Sequence, residues 1–230
     1  MGDRRGPERV GVFIDGFNLY HGVRDATGHA SLWLDIHKLC SSLLRPNQVI
    51  QQIHYFTAPV RNNNESMARQ VTYWQALEAH CPDVQIHRGR FQEKTAECLS
   101  CHNAWRTYEE KESDVAIACE LLMAAVKGDI DVAFLVSADS DFVPAIKAAK
   151  QVNPRLRVVA AMPPRRNSSE LKKACNASFQ IGKAKIRQAQ LPDVVQRKKG
   201  TVKRPDYWAS KTDEAATPGQ LQKLVKRFGR

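Results

Sequence analysis

Short apolar runs alternate with helical stretches along the chain up to Met162, and this alternation restricts the fold more than any other feature. Runs rich in β-branched and aromatic residues predict five strands, at Arg9–Asp15, Val49–Ala58, Val84–Phe91, Val132–Val136 and Leu156–Met162. Apolar residues with helical spacing predict four helices, at Leu32–Leu44, Asn64–His80, Lys111–Val126 and Phe142–Lys150. Two of the strands are largely apolar, as strands buried on both faces are. The pattern predicts an α/β fold whose mostly parallel central sheet is covered on both faces.

Charge divides the chain into a nearly neutral body and a basic C-terminal segment. The net charge is +11, and residues 183–230 carry +9 of it, from 13 Lys and Arg against 4 Asp and Glu. We therefore predict one domain over residues 8–182 and a basic extension over residues 183–230. Within the extension only a short stripe between Leu221 and Phe228 has helical spacing. The charge indicates a polyanion such as nucleic acid as partner, although solubility or docking on an acidic face would also account for it.

Several classes of protein are excluded or disfavoured by composition. The sequence contains no run near 18 apolar residues, and no signal peptide is recognisable at its start, so we expect neither membrane insertion nor secretion. Six cysteines are too few for a disulfide scaffold and favour a cytoplasmic location. No phosphate-binding loop or dinucleotide-binding glycine motif is present. The sequence does not indicate a homo-oligomer and is compatible with one.

Four aspartates are placed where a parallel sheet binds ligands. Asp15 ends the first predicted strand, and Asp139 and Asp141 follow directly on the most apolar one, so these three should meet at one edge. Asp114 lies in the first turn of a helix, but the polar insertion at 92–108 precedes that helix. The topology alone therefore does not show whether Asp114 reaches this edge. Clustered acids oppose one another's ionisation unless a cation neutralises them, and oxygen ligands alone favour Mg²⁺ or Mn²⁺. A single Asp at a strand end is more often a turn or cap residue.

Two other families that use acids after a first strand do not match. A haloacid-dehalogenase-like phosphatase needs a second Asp at the position of Phe17. A metal-dependent adhesion domain needs an Asp-x-Ser-x-Ser motif, where this chain reads Asp-Gly-Phe-Asn-Leu. Both classes are therefore disfavoured.

Three segments closely resemble the NYN domain, a branch of the PIN-like nucleases. They are FIDGFNLY (13–20), EKESDVAIA (110–118) and LVSADSDFVPAIK (135–147). The run KRPDYW (203–208) resembles the end of bacterial members of this group. The resemblance implies a Rossmann-like, PIN-type three-layer fold and an RNA-cleaving enzyme that uses Mg²⁺ or Mn²⁺. It makes Asp15, Asp114, Asp139 and Asp141 the catalytic and metal-binding acids, and it brings Asp114 to the site.

Three further residues are candidates for substrate binding. Asn18 could orient a water or an acid, or act only as a turn residue. Ser137 could hydrogen-bond an acid or the substrate, or be a simple strand-end hydroxyl. Lys111 could contact a phosphate, or pair with the neighbouring glutamates.

A cysteine pair in the insertion, Cys98 and Cys101, has the spacing of half a zinc site. Structural zinc needs four ligands, and the nearest other candidates are His102, Cys81 and His80. Two free thiols on a surface hairpin are the alternative to zinc.

The function predicted from the sequence is a divalent-metal-dependent ribonuclease that hydrolyses RNA phosphodiester bonds, with the basic extension raising RNA affinity. One alternative is an RNA-binding regulatory module that keeps the fold without turnover. Another is a structure-specific DNA nuclease.

Overall fold

The computed structural model describes residues 6–60, 63–97, 101 and 104–209. Its strands, numbered along the chain, are β1 (Glu8–Asp15), β2 (Gln48–Thr57), β3 (Val84–Arg88), β4 (Arg90–Glu97), β5 (Ala104–Lys111), β6 (Val132–Val136), β7 (Arg157–Met162), β8 (Ala177–Gln180), β9 (Val194–Gln196) and β10 (Thr201–Lys203). Its α-helices are α1 (Gly16–Thr27), α2 (Ile36–Leu43), α3 (Asn64–His80), α4 (Ser113–Lys127), α5 (Val143–Val152), α6 (Ser169–Ala174), α7 (Lys183–Gln188) and α8 (Asp206–Ala209). Short 3₁₀ turns lie at His29–Ser31 and Ser140–Phe142.

A six-stranded sheet in the order β3-β2-β1-β6-β7-β8 forms the centre, and all of its strand pairs are parallel. The predicted α/β class with a mostly parallel sheet is therefore confirmed. The five predicted strands all occur, and β6 is buried along its whole length, as its apolar sequence requires.

Helices cover both faces of this sheet, which gives three layers. Side chains alternate along β1, so that Val12 and Ile14 join one buried cluster and Phe13 joins the other. The first cluster includes the buried residues of α1, α2, α3 and α7. The second includes those of α4, α5 and α6, among them Ile117 and Ile146.

Several predicted helix boundaries are wrong by a few residues. The helix expected at Leu32–Leu44 begins only at Ile36, because Asp35 caps it by accepting a hydrogen bond from the backbone N–H of Lys38 (2.8 Å). The helix predicted at Asn64–His80 has the observed bounds of α3, and Asn63 caps it. The helix expected from Phe142 starts one residue later, after a 3₁₀ turn.

Of the apolar side chains with helical spacing on α3, only those in its second half are buried. Trp74 and Leu77 are buried, whereas Met67 and Val71 are each 38% exposed. The second half of the helix packs on the sheet, and its first half extends beyond it.

The segment around the predicted insertion is an antiparallel hairpin of β4 and β5 that pairs from Arg90 with Lys111 to Glu97 with Ala104. The third strand of the main sheet consequently ends at Arg88 rather than Phe91, and α4 begins at Ser113 rather than Lys111. Between hairpin and helix, Glu112 has φ +83°, a left-handed conformation that few residues with a side chain adopt.

The extension is folded well before its final stripe, although that stripe is the only part with helical spacing in the sequence. Residues 183–209 form α7, the β9–β10 hairpin and α8, and their apolar side chains join the core of the domain. The buried residues are Ile186, Ala189, Leu191, Val195, Val202 and Trp208. The stripe between Leu221 and Phe228 lies outside the described residues.

Candidate active site

The carboxyl edge of the sheet has its topological switch point between β1 and β6. From β1 the chain continues outward through β2 and β3, whereas β6, β7 and β8 continue outward on the other side. Such a reversal leaves a crevice beyond the strand ends, where ligands bind in parallel α/β sheets. Asp15 ends β1 and Ser137 directly follows β6, so both residues lie at this crevice.

Both carboxylate oxygens of Asp15 are held by hydrogen bonds. Oδ1 accepts from the backbone N–H of Asn18 (2.9 Å) and so caps α1, and Oδ2 accepts from the Ser137 hydroxyl (3.0 Å). Asn18 in turn accepts from the backbone N–H of Ala138 (3.2 Å). The predicted residues Asn18 and Ser137 are thus brought to Asp15 and join the loop after β1 to the loop after β6.

Asp139 and Asp141 lie in the tight turn that follows β6. The backbone N–H of Asp139 donates to the buried Ser137 hydroxyl oxygen (3.1 Å). The Asp139 carboxylate accepts from the backbone N–H of Asp141 (2.9 Å) and caps the 3₁₀ turn. The Ser-Ala-Asp-Ser-Asp sequence therefore fixes its own geometry locally, as Asx-type turns do.

Asp114 reaches the same edge because α4 begins there. An ion pair between Arg90 and Glu112 (2.5 Å) links the base of the β4–β5 hairpin to the start of the helix. Helix α4 contacts both β1 and the 3₁₀ turn of Ser140–Phe142. We call the four carboxylates at this place the acidic edge (Asp15, Asp114, Asp139 and Asp141).

Burial and mutual repulsion perturb two of these acids. Partial burial raises the pKa of Asp15 to about 6, with smaller contributions from the charges of Asp114 and Asp139, although the bonds from Asn18 and Ser137 oppose the shift. Burial also raises the pKa of Asp114, again with the charges of Asp139 and Asp141 contributing. The acids lie close enough to repel, and two of them bind protons more strongly than free aspartate does.

The chemistry of this donor set fits a hard divalent cation, since it consists of carboxylate oxygens alone. Across the part of the chain that the structure describes, no group of three or more His, Cys, Asp or Glu side chains is close enough to hold a metal ion without movement. Mg²⁺ usually keeps several waters and takes only one or two carboxylates, so it does not require a closed cage. Asp15, Asp114, Asp139 and Asp141 are the residues that would hold it, directly or through its waters.

The other predicted site residues are Lys111 and the candidate zinc ligands. Lys111 is the last residue of β5, but its side chain, like Cys98 and His102, lies outside what the structure describes. Cys101 is exposed. Cys81 is buried, its thiol lies 3.4 Å from a carboxylate oxygen of Asp35, and His80 contacts the same carboxylate. Cys81 and His80 are therefore engaged elsewhere, and the zinc site stays a prediction.

A polar cleft of about 490 Å³ opens on the β6 side of the acidic edge. Its lining includes Asn18, Asp139 and Arg166, together with the segment 167–170. Arg166 pairs with Asp25 (2.6 Å), and its buried Nε has no hydrogen-bond partner among the described residues. A guanidinium beside carboxylates is suited to binding a phosphate next to the acidic edge.

An aromatic pocket of about 250 Å³ opens on the β2 side, between α1 and α3. It begins at Gly16, directly after Asp15, and its walls include six apolar or aromatic side chains, from Tyr20, Leu34, Tyr55, Tyr73, Trp74 and Trp208. A Cβ at position 16 would lie 2.5 Å from the carbonyl oxygen of Phe56, so only glycine fits between the acid and the pocket.

Sequence reasoning missed both cavities. Arg166 follows Pro163 and Pro164, which give only a strand-end signal. The pocket walls come from segments far apart in the chain, and the sole local signal was the KRPDYW run, which contains Trp208.

The model of the NYN domain family matches residues 9–182. The chain belongs to the NYN domain family. The resemblance predicted from the three motifs is therefore confirmed, and the family is a nuclease-like one. The match ends near the predicted boundary at 182 and leaves α7, the β9–β10 hairpin and α8 outside it.

Two known proteins are similar to this one along most of its length. The 6-hydroxy-3-succinoylpyridine 3-monooxygenase HspA of Pseudomonas putida is 25% identical, over 88% of this chain and 76% of its own. A crystallised protein of unknown function from Vibrio parahaemolyticus has a TM-score of 0.55 at 17% identity, over 79% of this chain and 97% of its own. The second likeness supports the fold. Within the described ranges, no helix is long and apolar enough to cross a membrane.

Proposed function

We propose that this NYN domain protein is a divalent-metal-dependent ribonuclease whose active centre is the acidic edge. The observation that carries the proposal is that burial and the charges of neighbouring acids at the topological switch point raise the pKa of Asp15 and of Asp114. Mutual repulsion costs stability and is of no use to a fold that only binds RNA. A bound cation would neutralise the acids and offset this cost in stability.

Each residue of the centre has a distinct task in this proposal. Asp15, Asp114, Asp139 and Asp141 hold the cation. Asn18 and Ser137 keep Asp15 in place through the hydrogen bonds described above. A bound Mg²⁺ or Mn²⁺ would lower the pKa of a water and stabilise charge on the phosphate. Arg166 in the polar cleft contacts the neighbouring phosphate of the strand.

The proposed substrate, RNA, is supported by the family and by the charge distribution. The residues from 183 onward carry a net charge of +9. Contacts between these cations and phosphates release counterions, so affinity should fall as salt rises. Lys111 belongs to the same proposal as a further phosphate contact.

The decisive experiment is cleavage of a labelled single-stranded RNA in Mn²⁺, with EDTA as the blank and DNA of the same sequence as a parallel substrate. We expect RNA to be cut, and Asp139→Asn to lower the rate about 100-fold or more because it removes a ligand. The matched control is Asp131→Asn, at the opposite end of β6, where the Asp131 carboxylate pairs with Arg9 (2.9 Å). The control should cut RNA at the wild-type rate.

Each alternative has its own outcome in that experiment. Preferential cleavage of DNA would favour the structure-specific nuclease. RNA binding without metal-dependent cleavage would favour the non-catalytic regulatory module. Equal activity of wild type and Asp139→Asn would remove the acidic edge from the mechanism.

A second candidate function is the conversion of a small heteroaromatic compound. The relative from Pseudomonas putida is named as a monooxygenase of such a compound, and its match covers most of both chains. The aromatic pocket beside Asp15 could hold a ring of this kind. The test is the melting temperature of the protein with 6-hydroxy-3-succinoylpyridine. A rise that is lost when the pocket is altered would support this candidate, and no shift would count against it.

A further inference from the structure

The aromatic pocket has the size and the lining of a site for one flat ring system. Its volume of about 250 Å³ lies below the range of roughly 300–1,000 Å³ that encloses drug-sized molecules. Tyr20, Tyr55, Tyr73, Trp74 and Trp208 surround it with aromatic surface. Aromatic walls bind planar rings by stacking, largely irrespective of the substituents on the ring.

The walls are fixed before any ligand arrives. The Gln70 side chain holds the loop after β2, since its amide donates to Ala58 O (2.9 Å) and accepts from Val60 N–H (2.8 Å). The Tyr73 hydroxyl donates to Leu34 O (2.9 Å) and fixes the opposite wall. A pocket whose walls do not have to be ordered on binding loses less entropy when it is filled.

Part of the pocket comes from outside the segment that matches the family model. Trp208 on α8 is 5% exposed and packs against Trp33 and Tyr73, with ring centroids 6.2 and 6.0 Å apart. The Arg69 guanidinium lies 4.6 Å from the centroid of the Tyr207 ring and joins α3 to α8. The folded start of the extension therefore completes the pocket.

One polar group in the lining has no partner. The indole N–H of Trp74 is buried, and no described residue accepts its hydrogen bond. A buried donor without an acceptor is costly, and this N–H is closed to the pocket, so it adds a cost to the wall and no contact to a bound ring. Arg69 also lines the pocket, where it donates to the Ser66 hydroxyl (2.9 Å) and pairs with Glu65 (3.5 Å), and its positive charge there favours the phosphate of a nucleotide.

The position of the pocket connects it to the acidic edge. Gly16 lines the pocket and follows Asp15 without an intervening residue. In the sheet, Tyr55 is the register partner of Ile14, and Phe56 is the partner of Asp15. A ring in the pocket would therefore be held within the span of a nucleotide or two from the carboxylates.

We propose that the aromatic pocket is a base-binding subsite that takes one unpaired nucleobase of the RNA strand while the acidic edge holds a nearby phosphodiester. This proposal rests on the proposed ribonuclease function for its biological context. It adds that recognition uses a single-stranded region, because a paired base cannot enter the pocket. Tyr20, which is half-buried on α1, packs against the edge of the core and forms a wall of the pocket.

The first experiment compares AMP and UMP with ribose 5-phosphate, which lacks only the base, in thermal melts of the full chain. We expect each nucleotide to raise the melting temperature by about 2 °C or more at saturating concentration, and ribose 5-phosphate to do less. Tyr20→Ala should weaken nucleotide binding about tenfold, since it removes a stacking wall, whereas Tyr20→Phe keeps the ring and should bind as wild type does. Trp74→Phe should weaken binding by a smaller factor than Tyr20→Ala, because phenylalanine keeps a ring in the wall but presents less aromatic surface than the indole.

Equal shifts with nucleotide and ribose 5-phosphate would overturn the proposal, as would a Tyr20→Phe variant as weak as Tyr20→Ala. A shift with the heteroaromatic compound of the second candidate function and none with nucleotides would overturn it in favour of that candidate.

The second experiment moves a single abasic site along a cleaved RNA. Cleavage should fall about tenfold when the abasic site occupies one fixed distance from the cut, and Tyr20→Ala should abolish that dependence. If RNA is cut with no such dependence, the subsite is wrong and the nuclease stands. If no RNA is cut, the nuclease is wrong, and the comparison of nucleotide with ribose 5-phosphate still decides the pocket.

Discussion

The acidic edge and the aromatic pocket lie on either side of the Asp15–Gly16 peptide, yet they contribute to the fold in opposite ways. At the edge, carboxylates that repel one another are held together by burial and by hydrogen bonds from Asn18 and Ser137. In the pocket, rings such as Trp208 pack against Trp33 and Tyr73. Removing charge at the edge should therefore stabilise the protein, whereas removing a ring from the pocket should destabilise it.

The largest effect on stability is expected in the pocket. Trp208→Ala should lower the free energy of unfolding by about 3 kcal/mol or more, because it removes a nearly fully buried indole and leaves a cavity. Urea denaturation measures this loss.

The neighbouring Tyr207→Ala is the matched control. Tyr207 is 50% exposed, and its contacts are the Arg69 stacking and a hydrogen bond with His29 (3.0 Å), so it should cost about 1 kcal/mol or less. Similar losses in both variants would mean that α8 is held by its surface contacts rather than by the Trp208 ring.

A bound divalent metal should offset the loss of stability that repulsion between the acids of the acidic edge causes. Because the acids meet only in the folded state, Mn²⁺ should stabilise that state by RT ln(1 + [L]/Kd), about 2.7 kcal/mol at a hundredfold excess over Kd. Melts with Mn²⁺ and with EDTA should differ by several degrees in wild type, at about 2–4 °C per kcal/mol.

Asp15→Ala should lose most of this metal-dependent shift, while Asp193→Ala, which removes a largely exposed carboxylate far along the chain, should retain it. A full shift in Asp15→Ala would place the cation elsewhere, with the Cys98–Cys101 segment as the next place to examine.

The dependence of stability on pH isolates the contribution of Asp15. Its folded pKa is raised to about 6 from an ordinary value of 3.8, so its favourable contribution is complete below about pH 3.8 and is lost as pH rises through 6. Asp15→Asn removes this loss and keeps an oxygen that can accept from the Asn18 N–H. Without metal, the variant should become about 1–2 kcal/mol more stable than wild type above pH 7, a figure reduced for the partial exposure of the carboxylate.

Denaturation at pH 4 and at pH 7.5 checks this prediction, since the gain should be present only at the higher pH. His54 and His87 have a pKa lowered chiefly by burial, so they destabilise wild type and variant equally as pH falls and cancel in the comparison. If the variant gains the same stability at both pH values, ionisation of Asp15 does not destabilise the wild-type protein.

The same two regions show what the sequence could predict. The acidic edge is encoded in short motifs at strand ends, and parallel topology alone brings Asp15, Asp139 and Asp141 together. Asp114 required the family resemblance, because the β4–β5 hairpin separates it from the preceding strand of the sheet. Short sequence motifs were sufficient to predict those site residues that lie at the ends of their own strands.

The aromatic pocket could not be predicted in this way. Its walls come from α1, the segment around Leu34, β2, α3 and α8, and their approach depends on packing across the whole domain. The folded start of the extension could not be predicted either. Its apolar residues are isolated in the sequence and have no periodicity of their own, as Ile186, Leu191, Val195 and Val202 show. They are buried only because the rest of the domain offers them a surface.

The smallest expected effect concerns residues 210–230, which the charge pattern alone connects to RNA. Ending the chain at Ala209 keeps the folded extension and the Trp208 wall and removes Lys211, Lys223, Lys226, Arg227 and Arg230 against Asp213 and Glu214, a net charge of +3. RNA affinity should weaken, and the slope of log K against log[salt] should flatten by about 0.7–0.9 for each phosphate contact that is lost. The melting temperature should change little, and nucleotide binding in the pocket should stay as in wild type. A titration of RNA at several salt concentrations measures the slope. An unchanged slope would mean that the last residues do not contact RNA, whereas a large fall in melting temperature would mean that they dock on the domain through the stripe between Leu221 and Phe228.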